Sequence, residues 1–204
     1  MFGHINKVIK ILVFSDLLLL FGWGLIAPIL AIFVVQNIQG GDAGVAGIAI
    51  GIYWLVKSII QVFIANFLDK HKGEKDDLYS LIFGTILASL VPIGFIFAHF
   101  PWQIYLLQGI HALGMAFAVP SWSGIFTRHI EKGREAFCWS LDSSALGIGA
   151  GIAGIIGGTI AKTFGFVPLF VGVSVFGIIS SLIIFLIKKD LLPKEKVYPM
   201  PKPY

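Results

Sequence analysis

The sequence predicts an all-α membrane protein with six transmembrane helices, and three observations carry that expectation. Apolar runs at residues 8–35, 43–68, 78–98, 102–127, 137–161 and 166–187 fill nearly the whole chain. Each holds at least the ~20 residues that cross a bilayer as a helix. Of 204 residues, 57% are hydrophobic and 13% charged, with a mean hydropathy of +0.90, outside the range of water-soluble globular chains. Finally, basic residues gather at alternate ends of successive runs: Lys7 and Lys10, then Lys70, Lys72 and Lys75, then Arg128, Lys132 and Arg134, then Lys188 and Lys189. Basic residues beside membrane helices stay in the cytoplasm, so both termini are expected inside.

The first run is too long for a signal-peptide core and has no small-residue cleavage site, so it reads as a retained helix. It carries Asp16 and contains Gly22-Trp23-Gly24-Leu25-Ile26-Ala27-Pro28. The second run places Lys57 near its middle, with Tyr53 and Gln61 a turn to either side. The fourth opens on Trp102, an interfacial anchor by position, and sets Gln108, His111, Met115 and Trp122 on one helical face. It also contains Gly114-Met115-Ala116-Phe117-Ala118-Val119-Pro120, with the glycine-to-proline spacing of the first run. The first and fourth runs open the two halves of the chain and cross in opposite senses. Matching Gly/Pro interruptions there point to two inverted three-helix repeats and to the helices that line a substrate path. The fifth run carries Gly147, Gly151, Gly154 and Gly158 in one stripe, a surface for close helix packing or for a sliding contact with a second unit. Asp142 lies well around that helix, on a face with Cys138, Ala145 and Gly149. The sixth run precedes residues 188–204, a basic, proline-rich stretch expected to be an irregular cytoplasmic tail suited to lipid headgroups.

Charges at membrane depth are expensive and mark pathways by default. Asp16 and Asp142 each enter from a cytoplasmic helix end by roughly 10 Å at about 1.5 Å per residue. Lys57 has a stem long enough to lower its ammonium towards Asp16, which suggests an ion pair at a central cavity. The competing reading leaves both carboxylates in hydrated helix ends with Lys57 snorkelling. Gln108, His111, Met115 and Trp122, with Trp23 above Asp16, would offer polarisable apolar contact to an amphipathic molecule; His111 is alternatively a buried histidine bonded to a carbonyl. The expected partners are a small-molecule substrate, protons and the lipid bilayer. Nucleic acid, metal and cofactor are not expected. One cysteine, Cys138, excludes an intrachain disulfide. No ligand cluster, nucleophile–base spacing or phosphate loop suggests an enzyme.

In their order along the chain, several segments resemble the major facilitator superfamily, specifically the six-helix N-terminal half of a drug/H+ antiporter-like member. Ala65-Asn66-Phe67-Leu68-Asp69-Lys70-His71-Lys72-Gly73 is similar to the family's signature between helices two and three, with Ala65 in place of the leading glycine. Gln108-Gly109 with Gly114 resembles a second motif, with Tyr105 in the place of its arginine. Gly149, Ala153-Gly154 and Gly157-Gly158 resemble the antiporter motif, with Ala153-Gly154 where Gly-Pro is usual. The resemblance implies half of a major facilitator fold in the plasma membrane. It implies a secondary transporter working by alternating access, with proton-coupled antiport of an apolar or cationic organic solute as the leading mode. Asp69 and Lys70 would form a gate at the cytoplasmic surface, Asp69 meeting the helix-five N-terminus of a second unit. Since family members carry two six-helix halves, a homodimer of half-units is expected. The alternatives are a non-transporting half-unit that assembles with another six-helix chain, or a remnant of a longer transporter.

Overall fold

A computed structural model describes residues 5–70 and 74–191, so His71, Lys72 and Gly73 of the loop motif and 192–204 of the tail fall outside the described residues. Every regular element among the described residues is helical. The elements are α1 (Lys7–Ile26), α2 (Leu30–Asn37), α3 (Ala43–Lys70), α4 (Lys75–Ile96), α5 (Pro101–His129), α6 (Glu135–Phe164), α7 (Val167–Ile184), a 3-10 turn at Phe185–Ile187, and α8 (Lys188–Leu191). Among the described residues, six stretches are long and apolar enough to cross a membrane.

The first span differs from expectation in being two helices. Pro28 has no backbone N–H and clashes with the preceding turn, and α1 ends at Ile26 before α2 restarts at Leu30. Pro120, at the matching place in α5, leaves that helix continuous. The start of the expected irregular tail is also corrected, because residues 188–191 continue as α8, held to α1 by a 2.9 Å Lys7–Asp190 ion pair. Short connections are closed by local chemistry. Asp42 Oδ1 accepts from Val45 N–H at 2.8 Å to open α3, and Gln103 Oε1 accepts from His99 and Phe100 N–H at the head of α5.

Packing is exchanged between the two three-helix units. Helix α1 packs on α6 and α7, α5 packs on α3 and α4, and α4 meets α7. Interchanging the units maps each pairing onto another or onto itself, as inverted repeats require. The glycines of the Gly/Pro echo occupy equivalent crossings: a Cβ on Gly22 would meet Val173 and Phe176 of α7 at 3.2 Å, and one on Gly114 would meet Gly84 O and Ala88 N of α4 at 2.8 Å. Without a hydrophobic drive between helices in lipid, such close backbone approach is what holds them.

Two large apolar clusters fill the ends of the bundle. Ile9, Leu12, Leu78, Ile125 and Phe126 pack at the basic end; Phe33, Phe95 and Phe170 pack at the opposite end, with Phe33 and Phe170 centroids 4.8 Å apart. Between them the core thins to Leu19, Ala88 and Met115, which leaves room at mid-depth. Burial is uneven among spans. Only 6% of the apolar window of α3 and 17% of that of α6 is buried, against 44% to 50% for the other four, so α3 and α6 are the spans left without a full complement of neighbours.

Candidate functional site

A cavity of about 430 Å³ opens at mid-depth between α1, α3, α5, α4 and α7. Asp16 comes from α1, Tyr53, Trp54 and Lys57 from α3, and Met115 and Trp122 from α5. Towards the end opposite the basic residues it adjoins a second cavity of about 270 Å³ lined by Trp23, Gln108 and His111. Leu20, Tyr53, Trp54 and Met115 line both. The structure therefore brings seven of the eight residues singled out in the spans to two adjoining cavities.

Asp16 and Lys57 share the larger cavity but do not form the direct ion pair expected from the sequence. The ion pairs between described residues gather instead at the basic end. The Lys57 ammonium stands over the Trp54 ring at 5.0 Å and the Tyr53 ring at 5.8 Å, where an aromatic face offers a cation partial compensation. The physical reason is reach: Tyr53 and Trp54, one turn away on α3, capture the flexible stem before it crosses to α1. Asp16 lies within electrostatic reach of Asp142 instead. Asp142 is buried between α6 and α1 with Oδ1 unpartnered, and it is not among the residues that line the cavity.

His111 is held by rings. The Trp23 indole stacks on the imidazole at 3.6 Å and 7°, and Tyr53 stacks at 4.5 Å and 23°, so the imidazole lies between α1 and α3. No carbonyl accepts from it: Nδ1 is buried without a partner, as are Trp23 Nε1 and Gln108 Oε1. Each unpaired buried polar atom costs about 1–3 kcal/mol. Trp122, by contrast, is satisfied, donating Nε1–H to Leu12 O at 3.3 Å and stacking on Phe126 at 4.5 Å.

A family model described as Major Facilitator Superfamily matches residues 12–202. The chain belongs to the major facilitator superfamily. An uncharacterised MFS-type transporter of Methanocaldococcus jannaschii is 22% identical over 198 residues, covering 96% of this chain and 50% of that protein, so the chain spans about half the length of that curated relative. This superfamily member is accordingly a multi-pass membrane protein with the six spans described above.

Membership sharpens the remaining features. The glycine stripe on α6 does not pack within the bundle: a Cβ added at Gly147, Gly151 or Gly158 would meet nothing within 4 Å, and one at Gly154 only Pro28 at 3.9 Å. The face turned to α1 carries Cys138, Asp142, Gly149, Ala153 and Gly157. There a Cβ on Gly149 would strike Leu17 at 2.6 Å, and one on Gly157 would overlap the Leu25 carbonyl. Asp69 and Lys70 end α3 at the basic surface, exposed and without an ion pair among the described residues. The neighbouring staple is made by Arg128, which holds Glu74 at 2.8 Å and also pairs with Asp77, while His129 lies 3.5 Å from Glu74.

Sequence reasoning missed Trp54 and the hydroxyls of Ser15, Thr85 and Ser180 as lining groups. Trp54 had a signal, lying one residue from Tyr53 and three from Lys57. The hydroxyls had none, because small polar residues in membrane helices commonly bond their own backbone, as Thr85 does with Leu81 O at 2.7 Å and Ser15 with Leu12 O at 2.9 Å, and the bond of Ser180 to another helix depends on the packing.

Proposed function

We propose that this chain is half of a secondary transporter that moves a small organic solute, apolar or cationic, by alternating access. The carrying observation is the mid-depth cavity that holds Asp16 and Lys57 unpaired with one another. A carboxylate and an ammonium kept apart in a membrane interior are available to a solute and a proton. Asp16, with Asp142 within its electrostatic reach, couples protons to solute, in antiport as the leading mode. Trp23, Gln108, His111, Met115 and Trp122 form the solute-contacting wall.

The relative's doubled length and the sparse burial of α3 and α6 support a second six-helix unit closing the cavity. That unit is a second copy of the chain in our reading, and a different half-unit in the alternative. Asp69 and Lys70 gate the cytoplasmic surface of the plasma-membrane protein, whose termini lie inside. Asp69→Asn is expected to shift the balance of inward and outward accessibility, read by cysteine labelling from either side, without loss of folded protein.

The deciding experiment is pH-gradient-driven efflux of ethidium from liposomes that contain only this chain. Flux that collapses in Asp16→Asn and Asp142→Asn, with folded protein retained, supports the reading. Undiminished coupling in both variants rejects the assigned couplers. No flux from the chain alone, restored by a second six-helix chain, favours the alternative.

A further inference from the structure

The smaller cavity has a wall of a distinct kind. Trp23 Nε1, Gln108 Oε1 and His111 Nδ1 are buried around it without hydrogen-bond partners. Gln108 and His111 are 3% and 7% exposed within this half alone, so a second unit is not needed to bury them. Buried polar atoms are ordinarily paired, and the satisfied indole of Trp122 shows that this fold pairs them elsewhere along the same face of α5.

The three atoms specify a complement. An indole N–H only donates, an amide oxygen only accepts, and an imidazole nitrogen does either according to tautomer. A group that offers an acceptor beside a donor satisfies the set. Its shape is set by the rings: indole, imidazole and phenol are stacked near parallel in contact, so a group that takes the indole's place on the imidazole face is flat. The space of about 270 Å³ is ample, since a cavity of about 150 Å³ accepts benzene. Charge follows from the lining: among the described residues the smaller cavity has no carboxylate to hold a cation, and Lys57, which lines the larger cavity, lies within electrostatic reach of His111. Asp16, in the adjoining cavity, favours a cation there.

We infer that the smaller cavity is a recognition subsite for a neutral planar amide-type group, carried by a solute whose basic or apolar remainder lies beside Asp16. This deepens the transporter reading and rests on it. The three polar atoms are sealed in the present conformation, so the half-buried Trp23 indole slides from the imidazole as the group seats.

The test is calorimetric titration of the full chain in lipid nanodiscs with 4-(aminomethyl)benzamide and with its apolar near-isostere 4-isopropylbenzylamine. The amide is expected to bind about tenfold more tightly, the worth of one or two buried hydrogen bonds. Gln108→Leu should bring the two amines towards parity by weakening the amide's advantage. Trp23→Phe, which keeps an aromatic ring but loses the N–H together with the indole's second ring, should also lower the amide-to-isopropyl ratio and carries the test if Gln108→Leu does not fold. Asp16→Asn should weaken both amines and leave their ratio intact. Equal binding to the wild type, as simple hydration of these atoms would give, overturns the inference. So does a preference that survives Gln108→Leu and Trp23→Phe, or failure of both amines to bind. Amine flux measured in parallel separates the two levels: flux without the preference rejects the subsite alone, and preference without flux rejects the transporter reading.

Discussion

On α6, Gly149 and Gly157 press into α1, while Gly147, Gly151 and Gly158 on another side of the same helix meet nothing. Both sets are small residues at helical spacing, and only one is used inside the chain. In lipid, a glycine marks a place where another backbone can come close; which backbone arrives depends on how the helices are arranged. Here α1 supplies it, through Leu17, Gly24 and Leu25. The division repeats at larger scale, with α1, α4, α5 and α7 forming the buried core and α3 and α6 standing at its margin.

The largest effect should come from the used face. In Gly157→Leu the new side chain overlaps the Leu25 carbonyl, and a backbone atom cannot rotate away. Overpacking costs about 1–3 kcal/mol and occasionally more, so thermal unfolding in detergent should show loss of most or all folded protein. Gly151→Leu combined with Gly158→Leu tests the free face. Melting should stay within about 0.5 kcal/mol of wild type, as for substitutions that touch nothing, while crosslinking or native mass spectrometry should show loss of the paired species that the proposed second unit would form. Equal damage to melting by both sets would abolish the distinction between the faces. Unchanged pairing would hand the free stripe to lipid.

A smaller effect is expected at the basic end, where the connection between α3 and α4 is tied to α5. Arg128→Gln removes the bonds to Glu74 and Asp77 and leaves the buried Asp77 carboxylate without its cation. Arg128 is itself about two-fifths exposed, so the loss should be about 1–2 kcal/mol in denaturant unfolding, discounted for solvent screening. A loss as large as that of Gly157→Leu would mean that charge at the surface, and not close packing at mid-depth, sets the stability of the bundle.

How much of this was legible follows the same line between local and tertiary causes. The six spans follow from run length, and the Gly22/Pro28 and Gly114/Pro120 echo marked helix crossings that are equivalent in the fold. The grouping of Cys138, Asp142 and Gly149 on one face of α6 was readable from helical periodicity alone, and that face is the buried one. The break at Pro28 was readable as an interruption but not as a full stop, because Pro120 with the same local chemistry leaves α5 intact. The proposed Asp16–Lys57 pair failed because it required knowing the rotation of α3 against α1. Tyr53 and Trp54, local to Lys57, decided where its ammonium rests. Likewise the stripe at Gly147, Gly151, Gly154 and Gly158 could be seen, but its partner could not.

The smallest predicted effect separates two ways of holding α1. Its contact with α6 is made by shape, through Gly149, Ala153 and Gly157, whereas its contact with α7 adds a hydrogen bond, Ser180 Oγ–H to Ser15 O at 2.6 Å. Interhelical bonds of this type are worth about 0.6 kcal/mol in membrane proteins, since the separated helices also find partners. The Ser15 carbonyl sits inside α1, where the helix ladder already offers it a donor, so Ser180→Ala strands no buried acceptor. Unfolding in mixed detergent should therefore shift by only about 0.6 kcal/mol. A shift several times larger would show that α7 is clamped to α1 by the bond and not by the close approach at Gly22, and the shape-based account of α1 would then hold for only one of its two neighbours.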